Sequence, residues 1–414
     1  MNLKIKVAVI GGGASGLFAA VAVSRRIGKG STVIIERQSR TGRKLLATGN
    51  GRCNISNYRL SAKNYHGDKK IINSVLNNCS PDYLIKLCSE LGLLLRKDSE
   101  SRLYPYSNKA STVLDCLRNA LETNNVKELC DTTIESIKRE HDNFIISCGN
   151  TIIYAKYVII ATGSPSAPYL GSDDSGYKLL NSLCIKHTSI FPSLSSVPCS
   201  NRIKSLKGVR AKGEITLTAD NSIICKKTGE IQFTENGLSG ICVFDLSRYI
   251  NEFFTVGMID RKKYKNIYLT ADLMPEYSED DIFGYIKKCR KLFSHNKAAD
   301  LLGAALDKKI SAAITERLGY NNLQCNELND VQLRSIAKTV KDFRFTPEKA
   351  GSFESSQVCA GGFDSSAVYP DTLMSRKINN LFICGELLDV DGECGGYNLH
   401  FAIGSAITAA NYIK

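Results

Sequence analysis

The sequence predicts an α/β fold: a parallel sheet covered by helices, interrupted by an inserted small β-barrel domain and a nested helical domain. Three observations predict it. A β-branched apolar run near the N-terminus feeds directly into a glycine-rich turn and an Ala/Val-rich helix. Two further apolar strands, one mid-chain and one near the C-terminus, end in glycine turns. Between them the pattern changes to short strands with Gly turns and then to helical periodicity.

The N-terminal unit comes first. Val7-Ala8-Val9-Ile10 has the composition of a parallel strand buried on both faces. Gly11-Gly12-Gly13-Ala14-Ser15-Gly16 follows, a G-x-G-x-x-G turn. Leu17 to Arg26 reads as a helix, and Val33-Ile34-Ile35 as a second strand ending in Glu36. Gly11 permits the tight turn, Gly13 lets the backbone approach a pyrophosphate, and Gly16 allows close helix–strand packing. The free N–H groups around Ala14 and Ser15 favour an anionic diphosphate. Glu36 stands where a carboxylate accepts ribose hydroxyls. A 2′-phosphate would be repelled there, so the site favours FAD or NAD over NADP.

The next segments separate FAD from NAD. Arg37, Arg43 and Lys44 follow Glu36 closely, and then Asn50-Gly51-Arg52-Cys53-Asn54 continues a long Gly/Asn/Arg loop. Such a loop can wrap an extended ligand with backbone and amide donors. Tyr157-Val158-Ile159-Ile160 is a strand ending in Ala161-Thr162-Gly163. Leu381-Phe382-Ile383-Cys384 is another, ending in Gly385-Glu386. Gly395-Gly396-Tyr397-Asn398-Leu399 then opens a closing helix. Together these resemble the Rossmann-like, glutathione-reductase-like FAD fold. That resemblance implies that the acid at the last strand end bonds the ribityl or pyrophosphate region. It also implies that the closing helix points its N-terminus at the flavin N1 edge, where a reduced flavin is anionic. Ile134 is a further expected cofactor-binding residue.

Three longer stretches are more specific. Residues 42–57 (GRKLLATGNGRCNISN), 229–248 (GEIQFTENGLSGICVFDLSR) and 385–406 (GELLDVDGECGGYNLHFAIGSA) look like the YhiN-type flavoproteins. These are also called the BaiN/RdsA family of NAD(P)/FAD-dependent oxidoreductases. The resemblance spans essentially the whole chain. It implies an FAD-binding domain interrupted by a small barrel, with helices inserted into the barrel. Glu235, Ile241 and Cys359 depart from the His, Pro and Thr usual at those places.

The residues themselves support that order. Glu214 to Ala219 alternates polar and apolar, as a half-buried strand does. Ile223-Ile224-Cys225 reads as a short strand, Thr228-Gly229-Glu230 as a turn, and Glu230 to Thr234 as a third strand. Ser278 to Asp281 reads as a capped helix start, with Ile282, Tyr285, Ile286 and Cys289 on one face. Ala298–Leu306 and Ile310–Leu318 read as further helices, and Asn329–Leu333 begins another. Phe343 to Thr346 returns to strand. The expected domains are 1–190 with 352–414 for FAD, 191–272 with 342–351 for the barrel, and 273–341 for the helices.

Composition bounds the function classes. The chain has 414 residues, 43% hydrophobic and 23% charged, which excludes a disordered or collagen-like protein. Its 15 Cys contain no C-x-x-C pair, so zinc and dithiol readings lack spacing, and reduced thiols in a cytoplasmic protein are expected. The five His show no metal-ligand spacing, so no metal is expected. Lys4 and Lys6 before an uncharged run to Ser24 imitate a signal peptide, but the glycines of that run argue against a membrane helix, and none is expected. The net charge is +13, about half of it in residues 199–350, where the local basic clusters Arg202–Lys212, Arg261–Lys265 and Lys287–Lys291 read as solvated faces.

The expected chemistry is hydride transfer at flavin N5 to or from a small organic substrate, with NAD(P)H as donor. No second G-x-G-x-x-G is present, so NAD(P)H would dock transiently. Cys53 and Tyr397 are the candidate catalytic residues, Cys53 because Arg52 would lower a thiol pKa. Packing roles compete at both, and at His400 and Tyr104-Pro105-Tyr106. Asp391 and Glu393 read as helix caps. An RNA-directed flavoprotein and a non-catalytic flavin binder are the alternatives, though a nucleic-acid partner is not expected. The oligomeric state is open.

Overall fold

The structure is a computed structural model and describes residues 2–220, 222–255 and 266–414. The chain divides into two compact units, Met1–Ile190 with Gln357–Lys414, and Phe191–Ser356.

The first unit is built on a parallel sheet. Its core strands are β1 (Asn2–Ile10), β2 (Thr32–Ile35), β3 (Thr151–Ile160) and β4 (Leu381–Ile383). β1 lies between β2 and β3, and β4 pairs with the end of β3, all parallel. The first half of β3 instead pairs antiparallel with Asn143–Cys148. Strands buried on both faces need apolar side chains throughout, and Val7 to Ile10, Val33 to Ile35 and Val158 to Ile160 supply them. Register is the important feature. Ile10 pairs with Ile35 and with Ile160, and Ile160 pairs with Ile383. Four strands therefore stop at one level, where open parallel sheets of this kind bind ligands.

Helix α1 (Ala14–Ile27) follows β1, and the closing helix α2 (Tyr397–Ala410) packs against it. Gly404, Ala406, Ala409 and Ala410 keep α2 narrow enough to be buried along most of its length. Leu17 of α1 is fully buried in the same core. Truncating it to Ala would cost about 2–5 kcal/mol.

The second unit holds a six-stranded antiparallel sheet ordered Val197–Pro198, Gly237–Ser239, Ser222–Phe233, Arg210–Ala219, Ile267–Asp272, Phe343–Phe345. It closes on itself: Cys199 bridges Pro347, and the Ser200 N–H donates to the Thr346 carbonyl (3.0 Å). The expected turn at Thr228-Gly229-Glu230 does not form. One strand runs from Ser222 to Phe233, because Gly229 sits opposite Gly213 and the ladder continues through both. The expected helix over 298–306 is also absent. Only a short 3₁₀ turn forms at Ala298–Asp300, followed by turns, and the next helix begins at Lys308 behind an Asp307 cap. The cap read at Ser278 does form, with Ser278 and Asp281 bonding each other's backbone N–H groups. Strands and helices share one buried core in this unit.

Much of the basic surface is balanced. Lys207 pairs with Glu235 (2.5 Å), Arg210 with Glu230 (3.1 Å), and Lys287 and Arg290 share Asp330 (2.6 and 3.0 Å). The Arg261–Lys265 cluster lies outside the described residues. No helix among the described residues is long and apolar enough to cross a membrane.

Candidate functional site

The site lies where β1 to β4 end. Gly11 turns the chain at a φ of 101°, and its N–H donates to the Ile35 carbonyl at 2.8 Å. A Cβ on Gly11 would stand 2.5 Å from the Ala161 carbonyl oxygen, and one on Gly16 only 1.9 Å from that of Gly11. Both glycines are therefore required by packing within the protein. Gly13 is different: a Cβ there meets nothing within 4 Å. Gly163 likewise faces open space. Gly13 is also the N-cap of α1, with no side-chain cap and no acid in the first turn. The N–H groups of Ala14, Ser15 and Gly16 thus keep their partial positive charge.

Glu36 leaves β2 and is fixed by two backbone donors, the Gly12 N–H at 2.6 Å and the Gln38 N–H at 2.8 Å. Ile134 lies two residues beyond Thr132, whose N–H bonds the Glu36 carbonyl at 2.9 Å. Arg37 is held by Asp173 and the Gly171 carbonyl, and Arg43 by Gln38.

Glu386, after β4, is gripped on every side. Lys44 Nζ lies 2.9 Å from one carboxylate oxygen. The Ser164 hydroxyl (2.7 Å) and the Cys359 N–H (3.0 Å) donate to the other. Glu386 is thus a bracket joining the loops after β2, β3 and β4. Ser164 and Cys359 were not among the expected residues. Their part comes from contacts across more than 25 positions, which no local pattern shows.

The loop 50–54 is tied to the start of α2. Asn50 and Gly51 are exposed, with φ of 55° and 80°. The Asn54 carboxamide, oriented by its neighbours, accepts from the Gly396 N–H (3.0 Å) and donates to the Ser56 and Leu103 carbonyls. The Asn398 side chain is used within the protein, bonding both the N–H and the carbonyl of Gly392 at 2.7 Å. Leu399 packs on the core. Asp391 and Glu393 do not cap α2: its N-cap is Gly396, with no side-chain cap and no acid in the first turn.

The titratable candidates separate by burial. Cys53 is fully buried, and burial pushes its thiol up to about 11 despite a bond from Thr48. Arg52 does not activate it, because the guanidinium lies over the Tyr104 ring, 5.1 Å from its centroid. A neutral, sealed thiol is no nucleophile. His400 is also fully buried. Its Nε2 lies 2.8 Å from the Cys79 carbonyl and its Nδ1 2.8 Å from the Ser56 hydroxyl. The carbonyl can only accept, so Nε2 carries the proton and Nδ1 accepts from Ser56. Burial lowers the imidazole to about 4, with the Cys79 bond opposing. His400 is a staple rather than an acid. Tyr397 opens α2, packs edge-on against Tyr65, and receives the Tyr65 hydroxyl at its carbonyl (2.9 Å).

FAD fits the residues present. The uncapped α1 start and the open space at Gly13 and Gly163 suit a diphosphate. The Thr162 hydroxyl oxygen, beside Gly163, is buried without a hydrogen-bond partner.

Comparison with known proteins agrees. Residues 5–412 match the family described as HI0933-like protein Rossmann domain. The chain is 33% identical to a 3-dehydro-bile acid delta(4,6)-reductase from Clostridium scindens, over 96% of both chains. It is 25% identical to a ribosomal RNA dihydrouridine synthase from Haemophilus influenzae, over 97% of this chain and 96% of the relative. Its fold is similar to that of 3-ketosteroid delta1-dehydrogenase from Sterolibacterium denitrificans, at 12% identity and a TM-score of 0.50 over 99% of both chains. A parallel sheet with a glycine-rich first turn, matched along nearly its whole length, places the chain in the HI0933-like Rossmann family of FAD-dependent oxidoreductases.

Proposed function

We propose that this chain reduces a carbon–carbon double bond conjugated to a carbonyl group in a small organic substrate, using bound FAD and electrons from NAD(P)H. The observation that carries the reading is the uncapped, acid-free start of α1 at the level where four parallel strands end. Two of the relatives support the substrate class. A bile acid delta(4,6)-reductase and a dihydrouridine synthase both, by name, saturate a carbon–carbon double bond.

Gly13 and the first N–H groups of α1 would hold the diphosphate, and Glu36 the adenosine ribose. Thr162, Gly163 and the 50–54 loop would line the middle of the cofactor. The start of α2 would face the flavin ring, its partial positive charge favouring the reduced, anionic form. FAD, when bound, supplies hydride acceptance and donation at N5. Tyr397 is the proposed proton donor because it opens α2, the helix whose start would face the flavin ring.

The test is anaerobic mixing of the purified holoprotein with NADH or NADPH. Loss of the visible flavin band, restored by a conjugated enone, supports the reading. A flavin that neither nucleotide reduces counts against it. A second reading places the same chemistry on uridine in RNA, supported by the 25% identical relative. Salt-sensitive co-purification of RNA would favour it.

A further inference from the structure

The first unit carries a small sheet beside the expected FAD site, and that site does not use the sheet's exposed residues Arg96 and Tyr106. Ser56–Asn57, Arg102–Pro105 and Leu95–Lys97 form a small antiparallel sheet. It begins two residues after the expected cofactor loop and is bonded to it. The Ile55 N–H donates to the Leu103 carbonyl (2.9 Å), and the Asn57 amide donates to the Gly395 carbonyl just before α2 (3.2 Å).

One face of this sheet alternates cations and rings. Arg52 lies over Tyr104, 5.1 Å from the ring centroid. Arg96 stands opposite Tyr104 in the ladder and lies over Tyr106 at 5.6 Å. Tyr104 is buried and forms the floor of this face, while Arg52, Arg96 and Tyr106 are exposed, Tyr106 at 62%. Neither Arg52 nor Arg96 has a carboxylate partner among the described residues. The nearby acids Asp98 and Glu100 are taken by Arg102 (2.8 and 3.0 Å). No acid occurs from Arg43 to Gly67, nor from Ser101 to Leu114.

We propose that this face docks the nicotinamide dinucleotide that donates the hydride. The inference rests on the NAD(P)H reading above. A dinucleotide offers two flat aromatic bases joined by an anionic diphosphate. It needs planar cations for the phosphates and aromatic surface for a base, close to the flavin end of the site. Arg supplies both charge and a stacking plane, and tyrosine stacks on any base. Guanidinium groups without a carboxylate partner also raise the local concentration of an anionic donor. The chain has no second glycine-rich dinucleotide turn, so docking through side chains suits a donor that must leave once spent. Each reduction would transfer one hydride, a proton with two electrons, from the nicotinamide to the flavin N5, and release the nucleotide oxidised by two electrons.

The experiment is stopped-flow anaerobic reduction of holoprotein by NADH and NADPH, in wild type, the double variant Arg96→Ala/Tyr106→Ala, and Arg96→Lys. Arg96 and Tyr106 are exposed and contribute nothing to the FAD site, so FAD content and reduction by dithionite serve as controls and stay unchanged. The expected double variant binds nucleotide about tenfold or more weakly, with a limiting reduction rate within about twofold of wild type. Arg96→Lys keeps the charge but not the plane, and falls between them. A double variant with wild-type nucleotide affinity overturns the docking face alone. A wild-type flavin reduced by dithionite but by neither nucleotide overturns the donor reading and this inference with it.

Discussion

Replacing Gly13 by Ala separates the cofactor role of the glycine-rich turn from its folding role. Gly13 has φ −77° and ψ −171°, a conformation open to any residue, and its added Cβ would touch nothing within 4 Å. Ala is a poorer N-cap than Gly, which costs about 0.5–1 kcal/mol. It also restricts the unfolded chain, which returns about 0.4–1 kcal/mol. The apoprotein should therefore unfold within about 2–4 °C of wild type. FAD binding should suffer instead, because the methyl group fills the space through which the diphosphate reaches the α1 N–H groups. A loss of about tenfold or more is expected, about 1.4 kcal/mol. Gly16→Ala is the control: its Cβ would stand 1.9 Å from the Gly11 carbonyl oxygen, so the apoprotein itself should be destabilised. Thermal unfolding of apoprotein and a fluorescence titration with FAD measure both quantities. Wild-type FAD affinity in Gly13→Ala would refute a diphosphate at this helix start.

Other consequences can be measured as readily. His400 is held neutral when folded, near pKa 4, while an unfolded histidine titrates near 6.5, so the unfolded state binds the extra proton between these values. Its contribution is fully present above about pH 6.5 and declines as pH falls toward 4, by up to about 3 kcal/mol. His400→Gln should flatten that part of the stability–pH curve, and an unchanged slope would contradict the burial argument. Cys53 should resist iodoacetamide at about pH 8 while exposed Cys184 reacts, as peptide mapping would show. Modification of Cys53 in the folded protein would count against its sealed position. Lys44→Met leaves the Glu386 carboxylate short of a partner and should destabilise the apoprotein by about 1–3 kcal/mol. Lys44→Met/Glu386→Gln should recover part of that loss, and strictly additive effects would mean that the pair is not coupled.

The parts of the fold that were legible are those encoded locally. Val7–Ile10 and Gly11–Gly16 declare a strand and a turn within ten residues, because burial on both faces and a left-handed turn each restrict residue type. The strand ends at Thr162 and Glu386 were found in the same way. The bonds made there were not visible. Glu386 meets Lys44 across 342 positions and His400 meets Ser56 across 344, and only the packing of helices and loops around the strand ends brings such residues together. Arg52, its neighbour in sequence, makes a reactive Cys53 a candidate beside a packing role, and the structure favours packing: the left-handed backbone at Cys53 (φ 57°) accompanies a thiol in the core and a guanidinium outside on Tyr104. In the second unit, Gly229 was read as a turn because glycine usually marks one. In register opposite Gly213 it is instead a place where two strands continue side by side.

The most direct measurement is a complete anaerobic cycle on one sample: the visible flavin spectrum of the purified holoprotein after one equivalent of NADH or NADPH, and again after one equivalent of a conjugated steroid enone, with the product identified by mass. The expected result is bleaching by one of the nucleotides, recovery on adding the enone, and a product two hydrogen masses heavier. Bleaching by neither nucleotide, or a reduced flavin that the enone leaves bleached with its mass unchanged, would contradict the proposed reaction.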